Sequence, residues 1–227
     1  MYRTDLAHIH HEGFSEFARS AAPGVIELLH RAGIHRGHIV EVGCGTGVLA
    51  RTLAQAGYDV TAFDASAAMI DIARSATPED LTPAPRFEAA RLEDLTLPPC
   101  DAIIAMGGVL NYGDIRSFLP RAAAATRFLL FDVAEEKGFP EYEEYRGGGE
   151  DWSVIIIRER DGARLTRRVL TFRQIDGETH RDEEVHHLEL YDRDEILRLL
   201  PDFRVRIRRS YGKRRLPKGH AVYVATR

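Results

Sequence analysis

Only two cysteines, Cys44 and Cys100, occur among 227 residues, and they do not form a C-x-x-C pair. That scarcity excludes a disulfide scaffold and a cysteine-built zinc or iron–sulfur site, and it fits a reducing compartment. No stretch approaches the ~18–20 unbroken apolar residues of a membrane span. The opening residues, Met1-Tyr2-Arg3-Thr4-Asp5-Leu6, lack the basic-then-apolar order of a secretion signal. A cytoplasmic protein with no membrane partner is therefore expected. A large charge excess is missing too: 31 basic residues face 35 acidic ones, for a net charge of −4, which counts against a nucleic-acid partner. The one local exception is Arg204 to Lys218, with eight basic residues. Within it Arg204, Arg206 and Arg208 alternate with Val205 and Ile207, the pattern of a strand with one solvated face.

What is present is an ordinary globular composition, 44% hydrophobic and 29% charged. A chain of this length should bury roughly 70% of its unfolded surface and needs no covalent staple. Apolar positions Phe17, Val25, Leu28 and Leu29 predict a helix over 15–32, stopped by Gly33. Strand and helix patterns then alternate. Strands are expected over 38–42, 58–63, 86–90, 101–105 and 128–133, with helices over 48–56, 66–74 and 116–125. Such alternation implies a parallel sheet with right-handed crossovers.

The pattern changes after Val133. Residues 135–151 are acidic, aromatic and glycine-rich, and Gly147-Gly148-Gly149 reads as a hinge or loop. Strand-like runs at 152–160, 164–175 and 178–190 are separated by Asp161-Gly162 and Asp176-Gly177, a hairpin signal. An antiparallel three-stranded meander is expected there. A helix over 192–200 and a strand pair at 203–210 and 219–226 then complete the main sheet. The chain is read as one domain: an N-terminal cap (1–36), a core (37–134), a lid insertion (135–191) and a C-terminal completion (192–227).

The most informative stretch is Glu41-Val42-Gly43-Cys44-Gly45-Thr46-Gly47, between an apolar strand and a helix. Its glycines let backbone approach a ligand closely, and the helix start supplies free N–H donors. A dinucleotide fingerprint would need a small residue at position 48, where Val48 stands, and no G-K-[ST] is present. Asp64, after the next strand, can accept both ribose hydroxyls of a nucleoside lying across the strand ends.

These residues resemble the class I S-adenosylmethionine (SAM)-dependent methyltransferases, specifically bacterial small-molecule methyltransferases. The resemblance implies a Rossmann-like α/β core with a mostly parallel seven-stranded sheet and an inserted antiparallel β lid. It implies SAM as cofactor and S-adenosylhomocysteine (SAH) as product. Glu41, Gly43, Cys44, Gly45 and Gly47 match the family's glycine motif, and Asp64 its ribose-binding acid. Ala65 and Met69 would flank the adenine. In Arg91-Leu92-Glu93-Asp94-Leu95, Arg91 takes a place where the family often has Asp, while Leu92 still offers its backbone N–H. Met106 and Gly107 fall beside the reactive methyl. Asp5-Leu6-Ala7-His8-Ile9-His10 and Glu183-Glu184-Val185-His186 look like the terminal and lid signatures of the bacterial group.

The implied reaction moves a methyl group to nitrogen or oxygen of a small-molecule acceptor, in preference to carbon, by in-line displacement. Alignment and water exclusion are the protein's main tasks, and His is the natural base where one is needed. Glu184 and His186 share one strand face by period two with Leu188 and Leu190. With His10 and Tyr112 they are the candidate catalytic residues, though a structural role is open for each. No metal is expected, because the adjacent pair His186-His187 points to opposite faces. A monomer or homodimer is expected. A nicotinamide-dependent oxidoreductase and a non-catalytic SAM-binding module are the competing readings.

Overall fold

Ile39-Val40 and Ile103-Ile104 set neighbouring apolar side chains on opposite faces of a strand, so these segments need cover on both sides. The computed structural model, which describes residues 2–227, provides it. Helix α1 (Thr4–Arg31) precedes β1 (His38–Val42), α2 (Val48–Gln55), β2 (Asp59–Asp64), α3 (Ala67–Ser75) and β3 (Arg86–Ala89). Next come β4 (Ala102–Ala105), a 3-10 turn (Val109–Tyr112), α4 (Ile115–Ala125) and β5 (Phe128–Ala134). The lid contains β6 (Tyr142–Gly148), β7 (Trp152–Asp161), β8 (Arg164–Ile175) and β9 (Glu178–Glu189). After α5 (Arg193–Arg198) and β10 (Arg204–Arg208), a two-stranded ribbon, β11 (Ser210–Tyr211) with β12 (Arg214–Arg215), leads to β13 (His220–Thr226).

Seven strands form the main sheet in the order β10-β13-β5-β4-β1-β2-β3, parallel except that β13 runs against both neighbours. Ile39, Ala62, Ile104 and Leu130 face a core completed by Leu29 of α1, Leu53 of α2 and Ile70 of α3. Val40, Ile103, Leu129 and Phe131 face Phe118 and Leu119 of α4 and Ile196 of α5. The chain moves outward from β1 to β3, then returns to the other side of β1 as β4. The strand order therefore reverses between β1 and β4, and a ligand crevice belongs at their C-terminal ends. Among the described residues no helix is long and apolar enough to cross a membrane.

Two expectations need correction. Helix α1 begins at Thr4, eleven residues before the expected start, because Leu6 and Ile9 bury themselves against Val154, Ile156 and Val169 of the lid. A Cβ on Gly13 would collide with the Trp152 ring, so glycine lets helix and lid meet. The lid has four strands rather than three. Gly147 and Gly148 lie in β6, paired with Val154 and Ser153, and Gly149 donates its N–H to the Trp152 carbonyl at 2.8 Å. Gly149 makes room for the Trp152 indole at the strand end, while Gly147 and Gly148 are strand residues.

Candidate cofactor and acceptor site

The glycine turn is fixed from below. The N–H groups of Gly43 and Cys44 donate to the Phe63 carbonyl at 2.7 and 2.9 Å, tying the end of β1 to the end of β2. Gly43 has φ +71°, and a Cβ there would run into the Val109 side chain. Gly47, also left-handed, starts α2 without a side-chain cap, which leaves first-turn N–H groups free for a ligand. Asp64 closes the turn: Oδ2 accepts the Gly45 N–H at 2.9 Å and Oδ1 the Ser66 N–H at 2.8 Å. Each oxygen keeps a lone pair for a hydroxyl donor. Burial raises the Asp64 carboxyl above its ordinary pKa despite these bonds.

Glu41 is buried, and its Oε2 has no hydrogen-bond partner. Burial first, then the charge of Asp64, push its carboxyl up to about 8. A buried acid, Glu41, and a half-buried one, Asp64, around a glycine turn suit a ligand bringing hydroxyl donors and positive charge, and they oppose a pyrophosphate. An adenosyl cofactor with a cationic methionine end fits; a dinucleotide does not.

The flanking residues take graded positions. Ala65 is half-buried, and Met69 is buried on α3, where Ser66 Oγ accepts the Met69 N–H at 3.2 Å. Met106 shares the core cluster of Cys44, and Gly107 donates its N–H to Asp132 Oδ1 at 2.8 Å. Burial raises the Cys44 thiol well above its ordinary value, which makes it a packing group. Leu92 is half-buried. Arg91 is exposed and its guanidinium is held by Glu93 at 2.5 Å.

The start of α1 and the lid roof this turn. Ser66 Oγ donates to the Tyr2 carbonyl at 2.6 Å, and His11 Nδ1 meets Thr46 Oγ1 at 3.0 Å. A Cβ on Gly45 would lie 3.8 Å from His10 Cε1. On the lid side, the Arg3 N–H donates to Glu184 Oε1 at 2.9 Å, and Arg173 pairs with Asp5 at 2.9 Å. The four candidate catalytic residues gather here. The His186 ring lies 5.3 Å from that of Tyr2 and 5.8 Å from that of Tyr112, while His10 stands 5.8 Å from Tyr2. His186 Nε2 sits 3.2 Å from Glu184 Oε2, outside hydrogen-bond geometry. Burial opposes ionisation of Glu184, but His186 and Arg3 outweigh it and hold its carboxyl below the usual range. Burial, followed by the charges of Arg167 and His11, lowers His10 to about 4, so its ring is neutral at pH 7.

Two residues of this cluster escape the sequence reading, Tyr2 and Arg167. Arg167 pairs across the strands with His186 and shares its face. Its Nη1 donates to the Tyr2 hydroxyl at 2.6 Å and to the Tyr112 hydroxyl at 3.0 Å. The available signal was Leu165, Arg167, Val169 and Thr171, a buried strand face interrupted by one cation. A cavity of about 720 Å³ lies elsewhere, at the opposite end of the sheet beside Asp101, Phe128 and the exposed Arg204, Arg206 and Arg208. Among the described residues no cluster of His, Cys, Asp or Glu could hold a metal ion.

Residues 39–128 match the family described as a methyltransferase domain. The chain is 33% identical over 104 residues to the magnesium-protoporphyrin O-methyltransferase of Rhodobacter capsulatus, covering 44% of this chain and 46% of that protein. It thus spans less than half the length of that relative. Among solved structures it is similar to a SAM-dependent methyltransferase from Clostridium acetobutylicum, with TM-score 0.81, 15% identity, and 97% and 96% of the two chains covered. It is also similar to an amino pentose methyltransferase from Micromonospora echinaspora, with TM-score 0.75, 17% identity, and 100% and 98% covered. The magnesium protoporphyrin IX methyltransferase of Synechocystis, solved with bound SAM, gives TM-score 0.58, 17% identity, and 92% and 79% covered. Residues 39–128 therefore match a methyltransferase domain, and the whole chain shares its fold with SAM-dependent methyltransferases.

Proposed function

We propose that the chain transfers a methyl group from SAM to nitrogen or oxygen of a small-molecule acceptor enclosed between the glycine turn and the lid. The observation that carries this reading is the convergence of three parts at the β1/β4 crevice. These are the turn 43–47 with Asp64, the buried acid Glu41, and a roof made by Tyr2, His10, Tyr112, Arg167 and His186. The bound cofactor supplies an already activated methyl electrophile. What remains for the chain is to orient the acceptor, keep out water and, for some acceptors, remove a proton.

In this reading Asp64 takes the ribose hydroxyls, Glu41 the cationic end, and Ala65, Met69 and the backbone of Arg91 and Leu92 the adenine. Met106 and Gly107 border the methyl group. His10, neutral and weakly basic, serves as a wall. An acceptor that must shed a proton finds the His186 ring at this wall, its Nε2 without a hydrogen bond and 3.2 Å from Glu184 Oε2. An acceptor already ionised needs no base. In this reading cap, core, lid and C-terminal segment act as one cytoplasmic unit, monomeric or homodimeric, on free small molecules and not on nucleic acid. The test is transfer of a labelled methyl from SAM to a panel of amines, alcohols and acids, with SAH measured as the second product.

A further inference from the structure

Arg167 is 8% exposed, and among the described residues no carboxylate forms an ion pair with it. The nearby acids are already engaged. Asp5 pairs with Arg173, Asp182 with Arg3, and Glu184 with the amide and side chain of Arg3. Arg167 instead rests on two phenols and lies 5.3 Å over the Tyr2 ring. Phenol oxygens accept hydrogen bonds but bring no opposite charge, and a buried charge without a counter-ion is costly. The Nε of Arg167 also has no partner, nor do the buried His10 Nδ1 and His186 Nε2 in the same cluster. A purely structural tie for Tyr2 and Tyr112 would explain Nη1 and leave these three atoms, and the charge, without a role.

We propose that Arg167 anchors the acceptor, and that the acceptor is a small planar acid whose carboxylate pairs with this guanidinium. This rests on the methyltransferase reading and adds the chemical class of the substrate. A carboxylate brings the missing charge and two acceptor oxygens, matching a guanidinium that still has N–H donors to spare. The rings of Tyr2, His10, Tyr112 and His186 cluster beside the guanidinium in edge-on and tilted contacts of 5.3 to 5.8 Å, surroundings that suit a planar, ring-bearing body. The same uncompensated charge repels a cationic amine. Arg167 is thus a specificity residue, fixed by two phenols and presented by β8.

The test uses three probes on one phenyl ring, anionic benzoate, neutral benzamide and cationic benzylamine, titrated into 15N-labelled full-length protein with and without SAH. Benzoate is expected to shift the Arg167 Nε–H resonance and bind at least about tenfold tighter than benzamide, while benzylamine does not bind. Arg167→Gln should lose at least about tenfold in benzoate affinity, and Arg167→Lys should keep part of it. Benzylamine binding as well as benzoate, benzoate failing to bind, or an unchanged affinity in Arg167→Gln overturns the proposal. If Arg167→Gln does not fold, the ranking of probes on the natural chain and the Nε–H shift decide. A chain that ignores SAH yet ranks the probes as expected defeats methyl transfer and keeps the anionic site. One that binds SAH but ranks them otherwise does the reverse.

Discussion

Asp64 Oδ2 accepts the Gly45 N–H at 2.9 Å, so the acid that ends β2 and the glycine bend that follows β1 form one unit. Removing the acid should cost twice, through lost ribose contacts and through a loosened turn. Asp64→Ala is expected to weaken SAM binding by about 1.5–3 kcal/mol, the scale of hydrogen bonds to a charged group. Isothermal calorimetry with an unchanged affinity would remove Asp64 from the site.

Gly43 is the turn residue least able to carry a side chain, since its φ is +71° and Val109 occupies the space. Gly43→Ala should destabilise the fold by about 1–3 kcal/mol, the usual cost of a strained left-handed residue. The loss should exceed that of Gly57→Ala, which also has positive φ but open space around it. Paired urea unfolding curves of the two variants check the order.

Glu41 titrates near 8 in the fold, raised by burial and Asp64, against an ordinary value of 4.5. The folded chain therefore holds this proton more tightly than the unfolded one. The resulting stability is fully present below pH 4.5 and is lost as pH rises to about 8. Glu41→Gln should abolish that contribution, so the difference between the natural and variant unfolding curves should slope across this window. A flat difference contradicts a buried, protonated Glu41. Because a cationic ligand favours the ionised carboxylate, SAM binding at pH 7 should also release protons, read as a buffer-dependent calorimetric enthalpy.

His186 borders the proposed acceptor pocket, while the proposed cofactor contacts lie in the core. His186→Ala is expected to lower turnover by about 10²-fold, the scale of a misaligned acceptor, and to change SAM affinity little. Equal turnover in the variant would leave the ring a packing role alone.

The parallel core was legible because glycine-bounded apolar runs such as Ile39–Val42 and Ala102–Ala105 have few other solutions. The two Asp-Gly turns were legible as well, and Asp176 (φ +52°) and Gly177 (φ +82°) take the conformation that such a hairpin needs. Strand β6 was not, because Tyr142 to Gly148 lies at a sheet edge with no buried face and so shows no alternation. The first turns of α1 were hidden for a related reason: their narrow stripe, Leu6 and Ile9, faces a lid more than 140 residues away in sequence. The glycine turn proposed for the cofactor is local and reads directly, whereas the proposed acceptor roof is assembled from remote segments. In Arg167-Arg168 the period-two face shared with Leu165 and Val169 points to Arg167, and the register that sets it opposite His186 appears only in the fold.

The central claim is that this crevice takes an adenosyl cofactor with a cationic methionine end, and not a dinucleotide. One calorimetric comparison tests it most directly: titration of the same protein with SAM and with NAD at pH 7. The account predicts saturable one-to-one binding of SAM and none of NAD. Binding of NAD without SAM would contradict it.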